Sequence, residues 1–187
     1  MGSRRLVSAL VCVVSLAGCG SPESSAPAAI SELDSGARDE LGIVRPGSPE
    51  PGRMAPDFAL RSLEGEVIQL SDFRGQPVLL NFFASWCVPC MVEMPLIQEA
   101  HLQAEAKGYV VLGVAVQDSR EAVRSLSESM GLSFPMVFDG DSSVGLAYEV
   151  LGPPATFVID KTGKIVSSVS GVMAQDELES ELKKLAS

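Results

Sequence analysis

Val78-Leu-Leu-Asn-Phe-Phe83, running directly into Ala84-Ser-Trp-Cys-Val-Pro-Cys90, decides the fold. An unbroken apolar run of this length reads as a strand covered on both faces, the pattern of a sheet with helices on either side. The next stretch, from Val88 to Lys107, reads as a helix closed by Gly108. The two cysteines therefore sit where a buried strand gives way to a helix. Unpaired backbone N–H groups and the helix dipole favour an anion there. A thiol so placed can drop from about 8.5 toward the range of roughly 3.5–7.5. Cys87 is then the nucleophile. Cys90, one turn later on the same face, can attack a mixed disulfide on Cys87 and release the partner. Pro89 shapes the turn and removes one N–H from it. The competing readings are a static crosslink and half of a zinc site. A crosslink closing so short a loop stabilises little, and zinc wants four ligands where the chain offers only His101 beside its cysteines. Redox chemistry is the reading adopted, with no metal and no cofactor.

Working outward, Phe58-Ala-Leu60 and Val67-Ile-Gln-Leu70 flank Glu64-Gly65 as a hairpin. Tyr109 to Val116 is a second buried strand, and Ser119 caps a helix reaching Met130 before Gly131. Phe134 to Phe138 is a short strand and Ser142 to Tyr148 a short helix. Thr156-Phe-Val-Ile159 and Ile165 to Ser170 pair across Asp160-Lys-Thr-Gly163, and Gln175 to Leu185 is a last helix with Leu178, Leu182 and Leu185 on one face. Strands alternating with helices, then a hairpin and a helix, predict an α/β domain with a mixed sheet.

The chain has 187 residues, 46% of them hydrophobic and 20% charged, enough for one ordinary core. That composition excludes a disordered chain, a collagen and a coiled-coil rod. A net charge of −10 excludes nucleic acid as the expected partner. Four cysteines are too few for a disulfide-stapled mini-domain.

The N-terminus reads as an export signal: Arg4 and Arg5, then an apolar run from Leu6 to Ala17, shorter than a membrane span. The run ends in Leu16-Ala-Gly-Cys19, which resembles a bacterial lipobox, with Cys19 lipidated and cleavage after residue 18. An ordinary cleaved signal is the competing reading. The twin-arginine pattern begins at Ser3-Arg-Arg5 but lacks its continuation, and Leu6 stands where a myristoylation site needs Ser or Thr. Cleavage would leave the chain two charges more negative and, with Cys19 acylated, only Cys87 and Cys90 as thiols. Residues 20–53 are rich in Ser, Pro, Ala, Gly and acids and read as a tether with a reach of roughly 30 Å. The expected organisation is thus a signal over 1–18, a lipidated tether over 19–53 and a globular domain over 54–187.

Ala55-Pro-Asp-Phe58, Leu70-Ser-Asp-Phe-Arg-Gly75, the Val78–Cys90 stretch, Glu93-Met-Pro95 and Gly152-Pro-Pro-Ala-Thr-Phe-Val-Ile-Asp160 together resemble the TlpA/ResA type of thioredoxin-like thiol–disulfide oxidoreductases. The resemblance implies a thioredoxin fold with an N-terminal strand extension and an inserted strand–helix unit, here near 109–130. It implies a Cys87–Cys90 redox-active disulfide in a periplasmic or cell-surface reductase of protein disulfides. Apocytochrome c and an oxidase copper-site protein are substrates that suit the family, and a membrane thiol-electron donor is implied by analogy. A monomer, anchored by lipid at the extracytoplasmic face of a bacterial membrane, is expected.

Residue by residue, the resemblance makes Pro154 a cis-proline facing the cysteine pair, with Pro153 before it lacking the N–H that would grip an extended substrate. It makes Glu93 a glutamate near the active site that tunes the thiols or assists proton transfer; the plain alternative is an exposed helix acid. Trp86 is read as a lid over the site, with a large residue at a strand end as the alternative. Asn81 stands where thioredoxins proper carry a buried Asp, and it cannot titrate. His101 receives no function. Two other classes stay open. A peroxiredoxin would need a Pro-x-x-x-Thr-x-x-Cys loop, which Ser85-Trp-Cys87 lacks. A Sco-like copper carrier would use wider cysteine spacing and a distal His.

Overall fold

The computed structural model describes residues 43–45 and 47–185. Five strands form the main sheet in the order β6-β5-β4-β7-β8. β4 (Val78–Phe83) lies at its centre, parallel to β5 (Val110–Val116) and antiparallel to β7 (Ala155–Ile159). β6 (Met136–Asp139) continues the parallel side and β8 (Ile165–Ser170) closes the antiparallel edge. Every residue of β4 is buried, as its composition predicts.

Alternation along β4 sorts the core into two layers. Leu79 and Phe83 face a cluster built with Met94, Ile97, Ala100 and Ala104 of α1 (Val88–Lys107) and Leu178 of α4 (Gln175–Leu185). Val78, Leu80 and Phe82 face a second cluster with Phe58, Leu60, Val144 and Tyr148. Asn81 has the parity of Leu79 and Phe83, so its amide points into the α1 layer. Phe82, Tyr148 and Phe157 pack as an aromatic trio in the other layer, with ring centroids 5.0–5.7 Å apart.

The helix limits follow their caps. Ser119 Oγ accepts the N–H of Ala122 at the start of α2 (Arg120–Met130). Gly108 and Gly131 end α1 and α2 with φ of 75° and 64°, a region that costs any residue with a Cβ. β6 begins at Met136 rather than at Phe134, because Pro135 has no N–H to give to a ladder. The short helix α3 spans Ser143–Ala147. The segment expected as an inserted strand–helix unit supplies an interior strand, β5, and the helix α2 that leads to the sheet edge.

The N-terminal hairpin is present, with β2 (Asp57–Arg61) antiparallel to β3 (Val67–Gln69), followed by a 3-10 turn at Leu70–Phe73. It is tied to the main sheet at β6, where Leu63 N–H donates to Met136 O at 3.2 Å, and to α2, where the Arg124 guanidinium donates to Leu63 O at 2.8 Å. One boundary differs from the expected tether. Ile43–Arg45 forms β1, paired antiparallel with β2, and Gly52 N–H and Arg53 O bond to the backbone of Ile165 at 2.7 and 2.9 Å. Strand pairing with the domain is therefore present before Met54, from Ile43. Three residues, Ile43-Val44-Arg45, cannot fold alone, but the free edge of β2 offers them a ladder of backbone partners. Cys12, Cys19, the signal and most of the expected tether lie outside the described residues. Among the described residues no helix is long and apolar enough to cross a membrane.

Candidate active site

β4 ends at Phe83, and a tight turn carries the chain into α1, with Cys87 N–H donating to Ala84 O at 3.1 Å. Cys87 is the N-cap of α1: its backbone is extended, and its Sγ accepts the N–H of Cys90 at 3.2 Å. A sulfur in that position receives both an N–H and the positive end of the helix. Cys87 and Cys90 are joined as a disulfide, with an S–S distance of 2.08 Å and Cα atoms 5.3 Å apart. The two sulfurs differ in access. Cys87 is 5% exposed and Cys90 fully buried, so an incoming sulfur meets Cys87 first.

The peptide between Pro153 and Pro154 is cis. The carbonyl oxygen of Pro153 lies 3.4 Å from Cys87 Sγ, within reach of a thiol S–H when the disulfide is open. Gly171 N–H donates to Pro154 O at 2.9 Å, which brings the loop before α4 to the same place. Trp86 is 55% exposed beside the disulfide, and its indole N–H donates to Gln117 O at 3.1 Å.

Glu93 is not a surface acid. It is 1% exposed, on the stripe of α1 that also carries Cys90, Met94 and Ile97. Its Oε1 accepts the N–H of Met173 at 3.1 Å and its Oε2 accepts the amide of Asn81 at 3.3 Å. Asn81 also donates to Thr156 Oγ1 at 2.9 Å, while its own Oδ1 is buried without a partner. Burial pushes the Glu93 carboxyl up from the usual range; the Met173 and Asn81 hydrogen bonds pull the other way, and the charge of Glu177 adds to the rise.

Cys87, Cys90, Trp86, Pro89, Glu93 and Pro154 thus come together at one end of the main sheet. Thr156, which lies within the motif over residues 152–160, and Met173, Gln117 and Asp118, which no sequence motif marks, complete the surroundings. For Glu93 a signal was available, since its position three residues after Cys90 places it on the apolar stripe of the helix. His101 stands about three turns beyond Cys90 on α1 and packs edge-on against Phe134 with ring centroids 6.3 Å apart. Among the described residues no group of three or more His, Cys, Asp or Glu side chains could hold a metal ion.

The profile of the AhpC/TSA family matches residues 51–168. The thiol-disulfide oxidoreductase ResA of Geobacillus kaustophilus is 39% identical over 134 residues, covering 72% of this chain and 77% of that protein. ResA of Bacillus subtilis is 39% identical over 124 residues, covering 66% and 69%. Among solved structures, a secreted Mycobacterium tuberculosis disulfide oxidoreductase homologous to E. coli DsbE superposes with a TM-score of 0.62 at 25% identity, covering 68% of this chain and 96% of that one.

Proposed function

The chain belongs to the AhpC/TSA family and is a thiol–disulfide oxidoreductase of the ResA type, and from that premise we propose that it reduces protein disulfides through Cys87 and Cys90 while tethered outside the cytoplasm. The observation that carries the reading is the placement of Cys87 Sγ at the N-cap of α1, with the Cys90 N–H at 3.2 Å and Cys90 bonded behind it.

In the reduced protein the Cys87 thiolate attacks one sulfur of a substrate disulfide. A mixed disulfide forms and the first substrate thiolate leaves. Cys90, deprotonated, then attacks Cys87 Sγ. The second substrate thiolate leaves and the Cys87–Cys90 bond closes. Two electrons have passed to the substrate, and the two thiol protons end on its sulfurs. Helix-end electrostatics favour the thiolate at Cys87. Glu93, buried one turn after Cys90, is the acid–base group we assign to proton movement at the inner thiol. Pro154 and Pro153 form the wall against which the substrate lies. With no N–H at Pro153, that wall offers a carbonyl but no donor at this residue.

Lipid on Cys19 and the stretch between it and Ile43 would let the domain work close to a membrane. A membrane thiol donor would return the two electrons. Protein disulfides of an apocytochrome c, or of an oxidase copper-site protein, are the substrates we propose for a protein so placed, acting as a monomer in the periplasm or at the cell surface. The domain organisation we propose is a signal over 1–18, a lipidated segment from Cys19, and a catalytic domain that includes β1 from Ile43.

The test is a trap. Cys87→Ser should abolish reduction of insulin-type disulfides. Cys90→Ser should accumulate mixed disulfides, whose partners identify the substrate in the native host. Equal trapping by both variants overturns the assignment of roles. Peroxide consumption, or stoichiometric copper binding by the reduced protein, would move the reading to a peroxidase or a copper carrier.

A further inference from the structure

The turn that presents Cys87 is held from the neighbouring strand by a carboxylate. Asp118 follows the end of β5. Its Oδ2 accepts the backbone N–H of Ser85 at 2.5 Å, and its Oδ1 accepts the Ser85 hydroxyl at 3.0 Å and the N–H of Ser119 at 2.8 Å. The residue before it, Gln117, takes the Trp86 indole N–H on its carbonyl at 3.1 Å. Gln117 adopts φ of 50°, a conformation that costs a residue with a side chain, and its N–H is fixed to Asp139 O at 3.2 Å. Ser85 and Trp86 are the two middle residues of the turn closed by Cys87 N–H and Ala84 O. Both are therefore gripped by consecutive residues more than thirty positions away, anchored in turn on β6.

We infer that Asp118 is a positioning residue for disulfide exchange: its carboxylate, acting through Ser85, fixes the turn that aims Cys87 Sγ. This rests on the function proposed above. Hydrogen bonds to a charged acceptor are about twice as strong as neutral ones, and here two of them converge on one residue of a three-residue link, Ala84-Ser85-Trp86, with no other side-chain anchor on Ser85 among the described residues. In the oxidised protein the bond to Cys90 itself restrains Cys87. Once that bond opens, the turn and the Cys90 N–H that Sγ accepts are left to decide where the thiolate points. Attack on a disulfide requires the entering sulfur in line with the bond it breaks, and small misplacements are costly. The contribution of Asp118 therefore belongs to the reduced state.

Full-length Asp118→Ala and Asp118→Asn are compared with the wild type in three assays: kcat and KM for insulin disulfide reduction, the pH profile of iodoacetamide alkylation of Cys87 in the reduced protein, and the emission of Trp86, the sole tryptophan. Asp118→Ala is expected to lower kcat about tenfold with KM changed by less than about twofold, to slow alkylation across the pH range, and to shift Trp86 emission on reduction. Asp118→Asn keeps one acceptor oxygen but loses the charge and turns an NH2 toward a backbone N–H, so it should recover only part of the loss. Wild-type kcat and an unchanged alkylation profile in Asp118→Ala overturn the inference. If Asp118→Ala does not fold, Ser85→Ala, which keeps the backbone bond, is expected to show a smaller loss in the same assays, and wild-type values there overturn it. A wild-type protein that reduces no disulfide would count against the function proposed above; alkylation and emission then still decide the role of Asp118.

Discussion

Glu93 Oε1 accepts the backbone N–H of Met173 at 3.1 Å, tying the second turn of α1 to the loop that leads into α4. This bond spans 80 residues and places a carboxyl, almost wholly out of water, next to the redox pair. Its behaviour with pH follows from its burial.

Burial holds the native Glu93 above the ordinary glutamate value of about 4.3 that it regains on unfolding. Between the two values the native state keeps a proton that the unfolded state has lost, so stability falls as pH rises through that window. Glu93→Gln removes this slope. Its Oε1 still accepts from Met173, and the Asn81 amide can turn its unpartnered Oδ1 toward the new NH2. The urea midpoint of Glu93→Gln is expected to exceed that of the wild type at pH 8 and to converge with it at pH 4. Parallel curves for the two proteins would contradict this account.

The residues between the cysteines, Val88 and Pro89, carry no cation to favour the reduced thiolate further. The couple is therefore expected nearer to thioredoxin, about −270 mV, than to the strong oxidant DsbA, about −120 mV. Equilibration with glutathione buffers measures it. A value close to −120 mV would make the protein an oxidase.

Gly113 lies opposite Asn81 in the β4–β5 ladder, where an added Cβ would sit 2.8 Å from the ring of Phe134 and 3.0 Å from that of Phe83. Gly113→Ala forces both buried rings to move. A loss of about 1–3 kcal/mol is expected, read from urea unfolding. An unchanged midpoint would mean that the layer between the sheet and α1 has slack there.

If Cys19 carries the lipid proposed above, Cys19→Ala should release the protein from membranes and leave disulfide reduction intact, because the proposed anchor and the cysteine pair lie in separate parts of the chain. Each buried CH2 of an acyl chain contributes about 0.8 kcal/mol, so losing the chains removes the attachment. A Cys19→Ala protein that still pellets with membranes and retains Met1 would show an uncleaved anchor instead.

The local parts of this protein were legible in its sequence. β4 announced itself as an unbroken apolar run, α1 by its closing Gly108, α2 by its Ser119 cap and Gly131, and the cysteine pair by its place between strand and helix. Each of these signals lies within a few residues of what it specifies, because caps, turns and strand periodicity act over that range. Tertiary packing decided the rest. Glu93 had an equal reading as a surface acid until α4 and its preceding loop closed over α1. Ile43–Arg45 became a strand only because β2 has an edge to pair with. Asp118 reached Ser85, and Asn81 reached Thr156, across 33 and 75 residues. Hydrophobic periodicity tells which face of an element is apolar but not what will cover it. A polar side chain acquires its partners, and with them its charge state, only when the covering element arrives.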